Sequence, residues 1–220
     1  IYQAFGWEVP AFAHLPMILG ADKSRLSKRH GATSVTAYRD MGYLPDALVN
    51  YLVRLGWAHG DQEIFSREEL IQCFSLEGVG ASASVFNPEK LLWLNTQYII
   101  NSTPGALAEA VLPFLVKSGI LAADSDVSMD WLGKAAYSLR ERSRTLVEMA
   151  TQMHYYLAAD IAIDPKAREK HLTPESIQLL AEVRTMLAGL TDVSAAVVEP
   201  LVHEMAVAKG LKLGAIAQPL

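Results

Sequence analysis

The sequence predicts a mainly all-α protein with one short extended segment and a polar loop near its start. Three observations carry this. Apolar residues recur at i, i+3, i+4 and i+7 through most of the chain. Capping residues stand ahead of these stripes, often followed by proline, as in Asn87-Pro88, Thr103-Pro104 and Thr173-Pro174. Beyond residue 20 no stretch shows strong strand alternation.

The elements follow in order. Ile1 to Gly6 reads as the last turn of a helix closed by a C-terminal glycine. Residues 7–19 hold Pro10 and Pro16 among Trp7, Val9, Phe12, Leu15, Ile18 and Leu19, which forbids a helix and favours one strand leading into a loop. Gly20 to Gly31 has the polar, glycine-bracketed composition of a mobile connector. Ser34 to Met41 is a short helix ended by Gly42. Pro45 opens the next, closed by Gly56, with Leu48, Tyr51, Leu52 and Leu55 on its apolar face. Ser66 with Glu69 three residues on makes a capping box. Asn87 and Thr103 cap two further helices, the second carrying Leu107, Ala110, Val111, Phe114 and Leu115 and stopping at Gly119. Ser128 caps a helix through Trp131, Ala135 and Leu139. After a break near Arg142 to Ser143 the pattern resumes through Leu146, Met149, Met153 and Tyr156. Thr173 opens a helix with Ile177, Leu180, Val183 and Leu187 on one face, and Ser194 opens another that stops near Gly210.

Composition narrows the function. At 220 residues and 51% hydrophobic, the chain can bury one core or two modest ones. No apolar run is long enough to cross a bilayer, and the single cysteine, Cys73, rules out a disulfide framework within one chain. Both point to a reduced, cytoplasmic setting. A net charge of −5 argues against a protein that holds nucleic acid by bulk positive charge, so any such contact has to be local. Basic residues cluster at Lys23 to Arg29 and at Arg140 to Arg144. The first residue is Ile1 and Leu220 falls inside what reads as a starting helix, so the chain is expected to be a fragment.

The loop carries the most information. Arg25-Leu26-Ser27-Lys28-Arg29 sets three cations around a serine between flanking glycines. A lysine on such a loop can follow phosphate oxygens as charge grows on them, and backbone N–H groups around Ser27 can bond them. An ordinary solvated basic loop is the competing reading.

That loop resembles the Lys-Met-Ser-Lys-Ser signature of class I aminoacyl-tRNA synthetases, in the Lys-Leu-Ser-Lys-Arg form of the glutamyl-tRNA synthetases. The match extends through His14-Leu15-Pro16, Lys28-Arg29-His30-Gly31, Gly42-Tyr43-Leu44-Pro45, Leu55-Gly56-Trp57, Phe86-Asn87-Pro88-Glu89-Lys90-Leu91, Trp93-Leu94-Asn95 and Ala217-Gln218-Pro219-Leu220. It departs at Arg25, where the family usually has lysine; a planar guanidinium does not replace an ammonium freely. Nothing in the chain resembles the family's His-Ile-Gly-His signature. Catalysis by these residues alone is therefore not expected.

The resemblance implies a three-part organisation. Residues 1–34 would close a catalytic domain with an ATP loop, 35–104 would be stem-contact helices and 105–220 a truncated helical anticodon-binding domain. It implies Lys28 as the catalytic residue, acting on the departing pyrophosphate, and residues 25 to 29 as the ATP-binding set. It further implies ATP with Mg2+ as cofactor of the full-length enzyme but no metal site in this chain, tRNA(Glu) as partner, and a monomer that meets ATP and glutamate through an amino-terminal half.

Arg140, Arg142 and Arg144 are the candidate tRNA-binding residues, because guanidinium groups pair with base edges and stack on exposed rings. Arg142 is the first choice for an anticodon base. A helix surface with pairs inside the helix is the alternative. Trp93, Trp131, Tyr137, Tyr155 and Tyr156 sit on helical stripes and are expected in the core. His14, His59, His154, His171 and His203 lack metal-ligand spacing. Two other enzyme readings remain. A glutaminyl-tRNA synthetase would place β-barrels after residue 105, and a glutamyl-queuosine synthetase would lack that region. A helical protein-interaction module is the reading from another class.

Overall fold

The computed structural model describes residues 1–27, 34–158 and 163–219, and the chain separates into two compact units, 1–159 and 160–220. The architecture is helical, with one two-stranded sheet among the described residues.

The first unit begins with a 3-10 turn, Gln3–Phe5, closed by Gly6 in the left-handed conformation. Most of the expected strand is irregular. Only β1 (Ile18–Leu19) is extended, and it pairs in parallel with β2 (Ser84–Val85), Ile18 opposite Ser84. The flanking bonds run from the Ser84 N–H to the Met17 carbonyl at 3.1 Å and from the Phe86 N–H to the Leu19 carbonyl at 2.8 Å. β2 corrects the expectation of no strand past residue 20. Two residues are too few to show alternation, and their conformation is set by a partner sixty-odd positions away.

The helices are α1 (Val35–Asp40), α2 (Pro45–Arg54), α3 (Arg67–Cys73), α4 (Pro88–Asn101), α5 (Pro104–Lys117), α6 (Met129–Ser138) and α7 (Leu146–Leu157). Their starts are where the capping chemistry places them. Ser66 Oγ accepts the Glu69 N–H at 3.1 Å while the Glu69 carboxylate accepts the Ser66 N–H at 2.6 Å. Asn87, Thr103, Ser128 and Thr145 each accept from the N–H three residues on.

Leu48, Tyr51 and Leu55 of α2 and its C-cap pack on Leu91 and Leu94 of α4, and Ile99 carries α4 into a second core with Leu107, Val111, Leu115, Leu132, Met149 and Met153. Burying each such side chain contributes about 1.5 to 3 kcal/mol. α5 and α6 approach closely: a Cβ at Gly133 would lie 2.7 Å from the Pro104 carbonyl oxygen.

Some stripe assignments shift by one position. Leu52, Trp131 and Tyr156 are exposed, and Ala47, Leu132 and Ala136 are buried. A helix face about 100° wide admits either of two neighbouring residues, and only the facing helix decides which. Trp93, Tyr137 and Tyr155 are exposed as well, so none of the five singled-out aromatics is a core residue.

The second unit holds α8 (Pro165–His171), α9 (Pro174–Ala188), α10 (Ala195–Ala208) and α11 (Gly214–Ala217). Its core is Val183, Val202, Ala206 and Ile216. Ile177, expected to be buried, is exposed; Ser176 is buried instead and donates to the His171 carbonyl at 2.6 Å. No helix among the described residues is long and apolar enough to cross a membrane.

Candidate nucleic-acid interface

Two basic segments were singled out by sequence, and the structure gives each a different frame. The loop after β1 is tied more tightly than its composition suggests. Gly20 donates to the Ser24 carbonyl at 2.8 Å, Lys23 to the Gly20 carbonyl at 2.9 Å, and Leu26 to the Ile18 carbonyl at 2.9 Å, forming an antiparallel bridge between Leu19 and Arg25. The Asp22 carboxylate accepts both the Ser24 N–H and its hydroxyl. Residues 20–26 are therefore a hydrogen-bonded hairpin rather than an open connector, with Lys23 at φ +59 turning the chain. Arg25 is exposed and makes no ion pair among the described residues; Leu26 and Ser27 are half-buried. Lys28 and Arg29 lie outside the described residues. An exposed guanidinium on a fixed hairpin fits an anionic ligand such as a nucleotide phosphate.

The second segment is not a continuous helix surface. Arg140–Arg142 is a 3-10 turn between α6 and α7, so the three arginines point from a corner and have different partners. Arg140 stacks its guanidinium 3.8 Å over the Tyr137 ring, donates to the Tyr137 carbonyl at 2.9 Å and pairs with Glu141 at 3.2 Å. Arg144 pairs with Glu148 at 3.0 Å, one helical turn on. Arg142 is exposed and makes no ion pair among the described residues.

The backbone around Arg142 is held at several points. The Arg142 N–H donates to the Leu139 carbonyl at 3.0 Å, and the Arg142 carbonyl accepts from Gln152 Nε2 at 3.0 Å. Buried Ser143 donates to the Leu139 carbonyl at 2.9 Å, the Arg144 N–H reaches the Glu148 carboxylate at 2.8 Å, and the Leu146 N–H reaches the Gly42 carbonyl at 2.9 Å. Nearby, burial pushes the Tyr43 phenol up, with Glu89 and Glu148 adding to the effect and Arg144 opposing it. The phenol stays neutral, and the positive charge at this corner rests with the arginines.

Exposed Tyr137, Tyr155 and Tyr156 lie on the same two helices. The Tyr155 and Tyr156 rings meet edge to face at 5.5 Å, and Tyr156 is 3.0 Å from Ser138 Oγ. Sequence reasoning missed the groups that fix the turn, Gln152, Glu148 and above all Asn95. One signal was available: Asn95 stands between Leu91, Leu94 and Tyr98 on the apolar face of α4, where a polar side chain needs a buried partner.

Comparisons with known proteins bear on the chain as a whole. Residues 1–93 match the family described as tRNA synthetases class I (E and Q), catalytic domain, and residues 106–220 match the anticodon binding domain family. The chain is 53% identical over 220 residues to the glutamate–tRNA ligase of Thermodesulfovibrio yellowstonii and 53% identical over 214 residues to that of Geobacter sulfurreducens. It covers 47% and 45% of those proteins, so it spans about half the length of the curated relatives it matches. A crystal structure of a glutamate tRNA ligase from Elizabethkingia meningosepticum in complex with its amino acid superposes at a TM-score of 0.77 and 30% identity, covering 99% of this chain and 46% of that one. Helices α5 to α7 and α9 to α11 stand where a glutaminyl-type enzyme would carry barrels. The match over 106–220, more than half of the chain, shows that the chain belongs to the anticodon binding domain family, and over its whole length it is similar to glutamate–tRNA ligases.

Proposed function

We propose that the chain is the carboxy-terminal portion of a glutamate–tRNA ligase, a cytoplasmic monomer that activates glutamate with ATP and Mg2+ and esterifies it to tRNA(Glu). In this reading residues 1–34 end the catalytic domain, 35–104 contact the acceptor stem and 105–220 bind the anticodon. ATP would supply the activating phosphate chemistry. Arg25, Leu26, Ser27, Lys28 and Arg29 would border its phosphates, with Lys28 neutralising charge on the departing pyrophosphate. Exposed Arg25 on its hairpin is compatible with that role.

A single observation supports the tRNA side most strongly. Arg142 presents a guanidinium without an ion pair among the described residues, on a turn whose backbone is fixed by hydrogen bonds. A preorganised guanidinium is suited to a base edge, whereas Arg140 and Arg144, each paired with a carboxylate, are suited to steering and phosphate contact. We assign Arg142 to the third anticodon base, which separates glutamate from glutamine codons. A base contact of this kind is worth on the order of 1 to 3 kcal/mol.

The test is made in a full-length ligase carrying this chain. Arg142→Gln is expected to narrow the gap in charging efficiency between tRNAs whose anticodons end in C and in G by about tenfold. Equal weakening of both tRNAs would reduce Arg142 to a backbone anchor. An unchanged gap would remove it from recognition.

A further inference from the structure

Asn95 is fully buried in α4, and its amide joins two distant stretches of chain. Its Oδ1 accepts the Leu44 N–H at 2.8 Å, and its Nδ2 donates to the Arg144 carbonyl at 2.6 Å. The two partners fix which end of the amide is which, since one is a donor and the other an acceptor. Neither backbone group is met by another backbone bond among the described residues. Leu44 is the N-cap of α2, and Arg144 stands just ahead of Thr145, the N-cap of α7. Beside the amide, the Gly42 carbonyl takes the Leu146 N–H, so residues 42–44 and 144–146 are clasped twice. α4 also packs directly on the Arg140–Arg142 turn.

We infer that Asn95 is a positioning residue for anticodon reading: through the Arg144 carbonyl it sets the turn that aims Arg142 at its base. The inference rests on the reading of Arg142 given above. Asn95 touches no tRNA itself. Among the described residues its amide is the one side-chain group that anchors the carbonyl two residues after Arg142, and the bond is buried, where water cannot substitute for it. Small displacements of a recognition group cost specificity steeply, because the paired geometry tolerates little error.

The experiment uses the full-length ligase and two substitutions. Asn95→Asp keeps an acceptor for Leu44 but sets an oxygen against the Arg144 carbonyl. Asn95→Ser shortens the side chain so that it cannot reach both partners, and it avoids a buried carboxylate. Each is assayed below its own melting temperature, measured by circular dichroism. Both are expected to reduce the preference for C over G at the third anticodon position, on the order of tenfold. In the Arg142→Gln background neither should reduce it further, because the two residues act as one unit. Equal loss of charging for both tRNAs, or a full additional loss in that background, would show a merely structural asparagine and overturn the inference. If Arg142→Gln alone leaves the preference intact, the reading of Arg142 has failed and this inference falls with it. If Arg142→Gln narrows the preference and neither Asn95 substitution does, the reading stands and only the inference falls.

Discussion

Gly42 and Val147 meet so closely that a Cβ on the glycine would lie 2.6 Å from the valine's backbone nitrogen, and 2.9 Å from that of Leu146. Gly42 also sits at φ +84, outside the range most side chains adopt. The glycine thus ends α1 and lets its carbonyl reach the first turn of α7.

Gly42→Ala is therefore expected to destabilise the first unit by about 1 to 3 kcal/mol, from strained backbone and displaced α7 together. Thermal melts followed by circular dichroism check this. A melting temperature equal to that of the unsubstituted chain would show that the α1 end can move away without cost.

The outcome at Gly42 bears on what the sequence could reveal. Helix starts were legible because their chemistry is local: Ser66 and Glu69, Asn87 and Lys90, and Thr103 and Ala106 bond across three residues. That Gly42 ends a helix was legible for the same reason. That it faces Val147 was not, since the approach joins segments a hundred residues apart. The β1–β2 pair and the Asn95 clasp were hidden likewise. α8 has a capped start, Asp164 accepting the Ala167 N–H at 2.9 Å, but no apolar stripe, so a pattern search passes over it. The basic cluster at Arg140 to Arg144 was visible as charge; which arginine makes no ion pair among the described residues depended on Tyr137, Glu141 and Glu148.

A pH prediction comes from Tyr98. Its hydroxyl donates to the Phe65 carbonyl and lies 3.0 Å from the Oδ1 of buried Asn50. Burial, with the charges of Asp46 and Glu69, pushes this phenol up from 10.0 to about 12. The folded state holds the proton more tightly than the unfolded chain, so this contribution to stability is full below pH 10 and is lost as pH rises toward about 12. Urea melts should show stability falling across that interval. Tyr98→Phe should lower stability at neutral pH by about 0.5 to 1.5 kcal/mol, for the lost hydrogen bond, and flatten the alkaline slope. Tyr38, Tyr43 and Tyr51 are also raised by burial, so part of the slope should survive. A slope identical with and without the Tyr98 hydroxyl would show that this phenol is not the group responsible.

The 220-residue chain by itself should give a circular dichroism spectrum dominated by helix and should form no glutamyl-tRNA. The first expectation follows from the fold. The second follows from the absence, anywhere along the sequence, of a segment like the family's His-Ile-Gly-His signature. Charging above background, measured with radiolabelled glutamate, would mean that an adenylate site is built from residues other than those assigned.

Lys28 provides the last test, on chemistry rather than on recognition. In sequence it comes two residues after Leu26, whose N–H is bonded to the Ile18 carbonyl of β1. A lysine there can stabilise charge developing on pyrophosphate without taking part in holding tRNA. In a full-length ligase, Lys28→Ala should slow glutamate-dependent pyrophosphate exchange by two or more orders of magnitude, roughly the effect of removing one preorganised charge from a transition state. Affinity for tRNA, measured at low and at high salt, should change little, since phosphate contacts made elsewhere carry the salt dependence. Lys28→Arg separates charge from shape: a guanidinium keeps the charge but presents it in a plane, and only partial recovery of exchange is expected. Exchange at the unsubstituted rate in Lys28→Ala would take Lys28 out of the activation step and leave Arg25 and Arg29 as the cations to be tested next.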